Sequence, residues 1–304
     1  MIQVAHKSGM QYVYDFATLD SVPEWPTSAK VAARRLLSGP TLQTGKSSTV
    51  GAVLTGSHII LTLGTQARGT GANAHTHPNE QFNYIVQGTM TGKIAGEKVF
   101  APRGTVLHTP GGVVHTGLAC PEEDLVFLAL KDTRHGITGP SVDGKYEGPN
   151  YLPGFGTRSG ERVKSTAELI AKSGRDPEGE QTRYVYDFAR LEDRPGRANS
   201  AAVTPRVIPA ASDAKGGLLT GEKLHVAVLR YPRGGKARPQ SHPNEQFTFV
   251  VEGALRVEIA GEELVVGRHC IVHIPPGVPH RLMADGGGEA LVVTAQDARY
   301  GFAV

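Results

Sequence analysis

HTHPNEQFNYIVQG at residues 75–88 and QSHPNEQFTFVVEG at residues 240–253 are two copies of one stretch, 165 positions apart. The same offset relates LTG at Leu54 to LTG at Leu219, so the repeat extends well beyond the quoted stretch. A period this long is typical of a duplicated domain, because solenoid repeats span only about 20 to 50 residues. The chain therefore consists of two similar halves.

A further repeated segment, YVYDFATLD from Tyr12 and YVYDFARLE from Tyr184, shows that the duplication begins near the N-terminus. The total of 304 residues fits two domains of about 150 residues each. Between the halves, the sequence is rich in Gly, Pro and charge and has no periodicity, which predicts a linker. Within it, Ser165-x-x-Glu168 is a capping box that predicts a short helix. The predicted divisions are an N-terminal domain at 1–138, a linker at 139–183 and a C-terminal domain at 184–304.

The apolar residues of each half fall in short alternating runs, as in FNYIVQG and FTFVVEG, which is typical of β-strands. Together with 38 Gly, 20 Pro and few aromatic residues, these runs predict an all-β protein. The net charge of +3 is spread along the chain without a basic run, so a small-molecule partner is favoured over nucleic acid. No apolar run approaches the roughly 20 residues that span a bilayer, and the N-terminus lacks a signal-peptide pattern. We therefore expect no membrane partner and a cytoplasmic location.

Four residues of the first half have the types and spacing of a metal site. His75 and His77 are two positions apart on a presumed strand, so both imidazoles should face the same side. Gln81 lies on the returning strand, and a second turn brings His115 from elsewhere in the sequence. Three imidazoles and an amide oxygen suit borderline divalent metals, so we predict that this set binds Zn, Fe, Ni, Mn or Cu. Glu80 is one position off this face, so we expect it to support the ligands or lie at the surface.

Two linked motifs contain these residues: Gly69-x5-His75-x-His77-x3-Gln81-x6-Gly88 and Gly104-x5-Pro110-x-Gly112-x-x-His115. They resemble the two signature motifs of the cupin superfamily, and their presence in both halves makes the chain resemble a bicupin. The resemblance implies two cupin barrels, each a double-stranded β-helix or jelly roll, and it implies a homodimer as one assembly. The usual cupin motif has Glu where this chain has Gln81.

The ligand set His-His-Gln-His resembles that of pectin-degradation enzymes and of some polyketide cyclases, which carry out non-oxidative chemistry on enol or keto groups. The resemblance thus implies a metal-dependent isomerase or lyase that acts by Lewis-acid chemistry on a small hydroxy, keto or enol metabolite. Iron-dependent cupin dioxygenases also use neutral ligand sets, so an oxygenase is an alternative. A non-catalytic, metal-dependent binding protein is a second alternative. The pectin-type enzymes carry an acidic residue on the strand after the last histidine, where Asp124 is a poor match, so no role is assigned to it.

The second half lacks one of the histidines, because Gln240 stands where the first half has His75. An amide binds these metals less well than imidazole, so a site here would be weaker. The alternative is a barrel kept for packing, which Leu282 favours, because it stands at the position of Gly117 and narrows the space. The equivalent set is Gln240, His242, Gln246 and His280.

Three more residues of the first half, Asn83, His108 and Arg134, are candidates for catalysis. Asn83 shares the face of Gln81 and can bind a substrate oxygen, or it can be a polar residue of the barrel lining. His108 precedes the second turn, but strand alternation favours a packing or interface position. Arg134 can bind a carboxylate with two hydrogen bonds. Its equivalent in the poorer half, Arg299, instead favours a structural ion pair.

Overall fold

The computed structural model describes residues 9–19, 23, 26–36, 47–137, 165–173, 184–191, 200–207 and 209–303. Over these residues the chain forms 21 strands and one helix of 8 residues, which confirms the all-β prediction. In the same ranges, no helix has the length and apolar character needed to cross a membrane.

The strands up to the end of the first half are β1 (Val13–Asp15), β2 (Lys30–Leu36), β3 (Val50–Thr55), β4 (Ile59–Gln66), β5 (Gly71–His75), β6 (Gln81–Gln87), β7 (Thr89–Ile94), β8 (Glu97–Pro102), β9 (Thr105–Thr109), β10 (His115–Ala119) and β11 (Leu125–Asp132). The later elements are α1 (Thr166–Ser173), β12 (Val185–Asp187), β13 (Ala202–Val207), β14 (Lys215–Thr220), β15 (Leu224–Tyr231), β16 (Gln246–Glu252), β17 (Ala254–Ile259), β18 (Glu262–Gly267), β19 (Cys270–Ile274), β20 (His280–Ala284) and β21 (Ala290–Asp297). Helix α1 begins at the capping box: the Ser165 hydroxyl accepts from the Glu168 amide at 3.1 Å, and the Glu168 carboxylate accepts from the Ser165 amide at 2.8 Å.

Each half forms a barrel from one large and one small antiparallel sheet. In the first barrel, the sheets have the strand orders β12-β9-β6-β11-β4-β3-β2 and β5-β10-β7-β8. In the second, the orders are β1-β19-β16-β21-β15-β14-β13 and β18-β17-β20, with a bridge between Gln240 and His280 where β5 would lie. The matching strand orders confirm that the sequence repeat is a structural repeat, and they show the two barrels that the cupin resemblance implies.

The two barrels exchange their first strands. β1 comes from the first half but pairs with β19 of the second barrel, where Val13 is opposite Val272. β12 comes from the second half and pairs with β9 of the first barrel, where Val185 is opposite Leu107. The division of the sequence at 138 and 184 stays a prediction, and each barrel is completed by a strand from beyond that division.

A shared apolar core holds the barrels together. Phe82 and Tyr84 of β6 belong to the same buried cluster as Phe247 and Phe249 of β16. Burial of such large side chains is the main source of attraction between packed elements. The outer faces of the two large sheets therefore form the contact between the barrels, while their inner faces line the barrel interiors.

Two buried glutamates add polar contacts to this interface. The carboxylate of Glu80 accepts hydrogen bonds at 2.8–3.0 Å from three successive backbone amides at 222–224 of the second half. Glu245 repeats the arrangement with the amides at 57–59 of the first half, at 2.7–2.9 Å. A β-carbon at Gly221 would collide with the Glu80 carboxylate, and one at Gly56 would collide with that of Glu245. This explains why glycine ends both LTG repeats.

Candidate metal centre

Separate segments of the first barrel supply the predicted ligands. β5 ends at His75, and His77 lies in the irregular segment after it, so the expectation that both histidines are on one strand is wrong. Gln81 opens β6, and His115 opens β10 directly opposite His75. The structure thus brings the side chains together by pairing β10 with β5 and by the turn between β5 and β6.

The imidazoles of His75, His77 and His115 form one compact cluster. Their candidate ligand nitrogens all lie within 4.8 Å of one another. The ring centroids of His75 and His115 are 4.1 Å apart, and those of His77 and His115 are 4.7 Å apart. Among the described residues, this is the one group of three His, Cys, Asp or Glu side chains close enough to hold an ion.

Two of these imidazoles are held neutral with a defined tautomer. Burial, with the nearby charges of Lys131 and His75, lowers the pKa of His77 to about 3. Burial, with the charges of His75 and His77, also lowers the pKa of His115 far below its ordinary value. Nδ1 of His77 lies 3.0 Å from the Asn79 carbonyl, and Nδ1 of His115 lies 2.9 Å from the Val113 carbonyl. Because a carbonyl only accepts, each Nδ1 carries the hydrogen and each Nε2 keeps a free lone pair.

The contact between His77 and Gln81 is suited to a cation. Nε2 of His77 lies 3.1 Å from Oε1 of Gln81, and in this tautomer both atoms are acceptors. The amide is oriented by its own nitrogen, which donates to Oδ1 of Asn83 at 2.8 Å. Two ligand atoms about 2.1 Å from one ion are themselves separated by roughly 3.0–3.4 Å. The facing lone pairs therefore fit two ligands of a single metal ion.

A cavity of about 110 Å³ opens beside this cluster, and residues of both sheets line it. His75, Gln81 and His115 form part of its wall. The polar part of the remaining wall is Ser47, Thr49, Thr62, Gln66, Asn83, Thr109, Thr116 and Lys131, and the apolar part includes Ile60, Met90, Leu107 and Phe127. Gly117 also lines it, so the space predicted beside His115 is present.

Lys131 is the cavity residue that sequence reasoning missed. It is 6% exposed, lies opposite Gln81 in the pairing of β11 with β6, and donates to the Ile137 carbonyl at 2.6 Å. Burial lowers its pKa to about 7. A signal was present in the strand LVFLALKD, because positions 127, 129 and 131 alternate onto the face that lines the cavity.

Of the three candidate catalytic residues, only Asn83 lines the cavity. His108 is turned to the barrel interface, where its Nε2 lies 2.7 Å from the Glu80 carboxylate and its ring stacks on Phe82. Strand alternation explains this, since the neighbours at 107 and 109 face the cavity instead.

Arg134 forms an ion pair with Asp132 at 2.9 Å, outside the cavity wall. The positions of His108 and Arg134 do not support a catalytic role. Exposed Asp124 also lies outside the wall, where it accepts from the Arg68 amide.

In the second barrel, the equivalent residues have acquired protein partners. Nε2 of His242 again lies 3.1 Å from Oε1 of Gln246, but Gln296 donates to that oxygen at 2.6 Å. Gln296 stands at the position of Lys131 and is bonded through both its amide atoms to Ala303 near the C-terminus. His280 keeps a buried Nε2 without a hydrogen-bond partner in the described structure. Part of a ligand set remains, but its amide oxygen is already used.

Large side chains also fill the second barrel where the first has open space. Tyr231, Ile274 and Leu282 all belong to one buried apolar cluster. They stand at the positions of three residues that line the first cavity, namely Gln66, Thr109 and Gly117. The two barrels share a backbone plan, and their interiors differ in the room they leave for a ligand.

Comparison with protein families and solved structures agrees with the repeat. The model of the cupin domain matches residues 62–131 and again residues 227–295. No curated protein matches the chain.

Among solved structures, AerE from Microcystis aeruginosa is similar with a TM-score of 0.57 and 13% identity, over 88% of this chain and 96% of AerE. Protein Ylba from E. coli has a TM-score of 0.52 and 13% identity, over 96% of this chain and 92% of its own. Bacillus subtilis oxalate decarboxylase, in a structure concerned with its Mn(II) centers, has a TM-score of 0.52 and 12% identity, over 96% of this chain and 78% of its own. At these identities the likeness shows the fold alone.

Proposed function

Since this chain belongs to the cupin superfamily and contains two cupin barrels, we propose that it is an enzyme that binds one divalent transition metal in its first barrel. The reaction we propose is the non-oxidative isomerisation or cleavage of a small hydroxy, keto or enol metabolite. The metal would be held by His75, His77, Gln81 and His115.

The convergence of unprotonated ligand atoms carries this proposal. Nε2 of His77 faces Oε1 of Gln81 at 3.1 Å with no hydrogen between them, and the ring of His115 lies against both other imidazoles. Without a cation, these buried lone pairs would repel one another and would lack hydrogen-bond donors. The cavity of about 110 Å³ beside them is well below the roughly 300 Å³ of pockets for drug-sized ligands, which supports a small metabolite.

The residues of the chain determine the electrostatics of this site. A divalent metal bound here supplies Lewis-acid chemistry by polarising a carbonyl or enol oxygen. Three imidazoles and an amide add no negative charge, so the ligand set leaves the positive charge of the site undiminished. The carbonyls of Asn79 and Val113 fix the orientation of two imidazoles through their Nδ1 hydrogens. The amide nitrogen of Asn83 can donate to a substrate oxygen in the cavity.

Metal analysis of protein purified without oxygen tests the site directly. We expect close to one tightly bound ion per wild-type chain and none after His77→Ala, because that change removes a ligand. His242→Ala is the matched control, since it makes the same change at the equivalent position of the second barrel. Equal occupancy of both barrels, or metal retained by His77→Ala, would contradict the proposal.

The type of chemistry is tested with pyruvate and butane-2,3-dione in deuterium oxide. A site that stabilises an enolate should exchange the methyl hydrogens of these ketones for deuterium, which proton NMR detects. The same samples are followed with an oxygen electrode. Oxygen uptake by iron-loaded protein without deuterium exchange would favour the alternative dioxygenase, and binding of both ketones without either reaction would favour a binding protein.

We also propose that the partner is a small molecule, with neither nucleic acid nor a membrane involved, and that the protein acts in the cytoplasm. A homodimer is the proposed assembly, as the cupin resemblance implies. Sedimentation analysis of the purified protein measures that assembly.

A further inference from the structure

We infer that Lys131 is an anion-binding residue of the first cavity, and that the ligand of this site is a small carboxylic acid with a keto or hydroxy group beside the carboxylate. This inference rests on the proposed function, because it names the substrate class of the same site. It depends on where the ammonium group lies and on what contacts it.

Lys131 is buried beside the ligand cluster, and the carboxylate whose charge acts on it, that of the adjacent Asp132, has its hydrogen-bond partners elsewhere. Its Nζ donates to the Ile137 carbonyl, which leaves two of its three hydrogens for other acceptors. In the described part of the chain, no carboxylate lies within ion-pair distance of it. The neighbouring Asp132 is directed to the opposite side of β11, where it accepts from the Glu80 amide and from Arg134. Burial disfavours the protonated form of Lys131, and an anionic ligand in the cavity would stabilise that form.

The second barrel has a neutral side chain at the position of Lys131. There, Gln296 is neutral and its amide group is fully used by Gln246 and Ala303. The barrel with the complete histidine set has the lysine and the open cavity, whereas the barrel without it has the glutamine and a filled interior. Lys131 therefore occurs in the same barrel as the complete ligand set and the open cavity. A lysine with a purely structural role would have no reason to occur only there.

The register places Lys131 next to the ligand cluster. Lys131 is opposite Gln81, and opposite residues of an antiparallel pair are neighbours on one face, with β-carbons about 5 Å apart. The lysine and the ligand cluster therefore line the same cavity. A 2-oxo or 2-hydroxy acid would offer its carboxylate to the lysine and, on the adjacent carbon, a second oxygen to the ligand cluster.

Calorimetric titration with pyruvate and with butane-2,3-dione tests the inference, because the two differ only by a carboxylate in place of an acetyl group. We expect the wild-type protein to bind pyruvate about 10- to 100-fold more tightly than the dione, as a charge-assisted hydrogen bond contributes. Lys131→Gln and Lys131→Met should lose that preference with dione affinity and metal content unchanged. Lys131→Gln introduces the residue that the second barrel already folds with. Lys98→Gln, an exposed lysine on the same barrel, should behave as wild type.

Equal affinity of the wild type for both probes, or a preference for pyruvate that survives Lys131→Gln, would overturn the inference. If Lys131→Gln keeps its pyruvate affinity and loses only deuterium exchange, the lysine transfers protons and does not bind the anion. The outcome is separable from that of the metal proposal. If the wild type holds no metal, the same two titrations on that protein still test Lys131, because the ammonium and the cavity belong to the chain.

Discussion

In the proposed metal site, the residue at position 81 determines how much charge the ligands contribute. We predict that Gln81→Glu binds metal about tenfold more tightly, because a carboxylate is a stronger ligand than an amide for a divalent ion. The same change should slow deuterium exchange in the ketones, because the added negative charge offsets part of the positive charge at the site. Competition with a chromophoric chelator measures the first effect, and NMR measures the second.

Gln246→Glu is the control for this change, since it makes the same substitution in the second barrel. There the amide oxygen already accepts from Gln296, so the affinity of the first site and the exchange rate should not change. A metal affinity for Gln81→Glu equal to that of wild type would show that Gln81 is not a ligand.

The histidine cluster with Gln81, and Asn83 beside it in the cavity wall, could be predicted at the level of single residues, whereas the burial of Lys131 could not. The spacing of His75, His77, Gln81 and His115 marks them because few structural roles require that pattern. Strand alternation places Lys131 on the cavity face, but a lysine near a strand end usually reaches solvent, so its burial is not predicted. Its burial depends on the chain beyond β11, where the Ile137 carbonyl accepts its hydrogen bond. That contact is set by tertiary structure.

At the scale of elements, the turns before β4 and β15 are anchored by carboxylates from the opposite barrel. We predict that Glu80→Gln lowers the free energy of unfolding by about 3–5 kcal/mol. Both oxygens of the carboxylate accept from backbone N–H groups, whereas an amide has one accepting oxygen and a nitrogen that only donates. Glu245→Gln should have the same effect. Denaturant unfolding measures both, with exposed Glu289→Gln as the control, which should cost at most about 1 kcal/mol.

The pH dependence of unfolding gives a second readout for the same carboxylate. Burial alone would raise the pKa of Glu80, but hydrogen bonds from His108 and the backbone amides bring it below its ordinary 4.5. A carboxylate with a lowered pKa contributes its stability above the unfolded value and loses it as the pH falls through the folded one. The stability difference between wild type and Glu80→Gln should therefore narrow between pH 6 and pH 3. A difference that is constant over this range would show that Glu80 is not ionised in the folded protein.

The strands were predictable from their alternating patterns, but their exchange between barrels was not. YVYDF occurs unchanged in both copies, so either copy can pair with β9 or with β19 on pattern alone. The choice follows from how the chain leaves each barrel, which local sequence does not encode. Likewise, Glu80 is expected from the sequence near the ligands or at the surface, but its carboxylate accepts from backbone amides of the other barrel, which no side-chain pattern reveals.

Over the whole molecule, duplication has given two barrels with one backbone plan and different interiors. The first keeps a histidine cluster, a lysine and an open cavity, and the second packs Tyr231 and Leu282 into the corresponding space. The glutamate contacts are reciprocal, so each barrel stabilises the turns of the other whatever its interior holds. A filled barrel can therefore be retained because it supports its partner. We therefore predict that a substitution inside the first barrel changes ligand binding and catalysis without changing how the two barrels pack together.

Gly117→Leu tests this prediction, because it gives the first barrel the residue that fills the second. A β-carbon at Gly117 would lie 3.2 Å from the sulfur of Met90, whose flexible side chain can move away. The rest of the leucine side chain would occupy the cavity. We expect pyruvate binding and deuterium exchange to fall at least tenfold. Metal content should stay at one ion per chain, and the free energy of unfolding should change by less than about 1.5 kcal/mol.

Calorimetry, NMR, metal analysis and denaturant unfolding on the same preparation separate these effects. Leu282→Met, a volume-conserving change in the second barrel, is the matched control and should leave all four unchanged. Exchange that survives Gly117→Leu but disappears with His280→Ala would mean that the chemistry takes place in the second barrel. In that case the buried Nε2 of His280 would be the ligand atom of interest, and Gln296 would have to release Gln246 before a metal could bind.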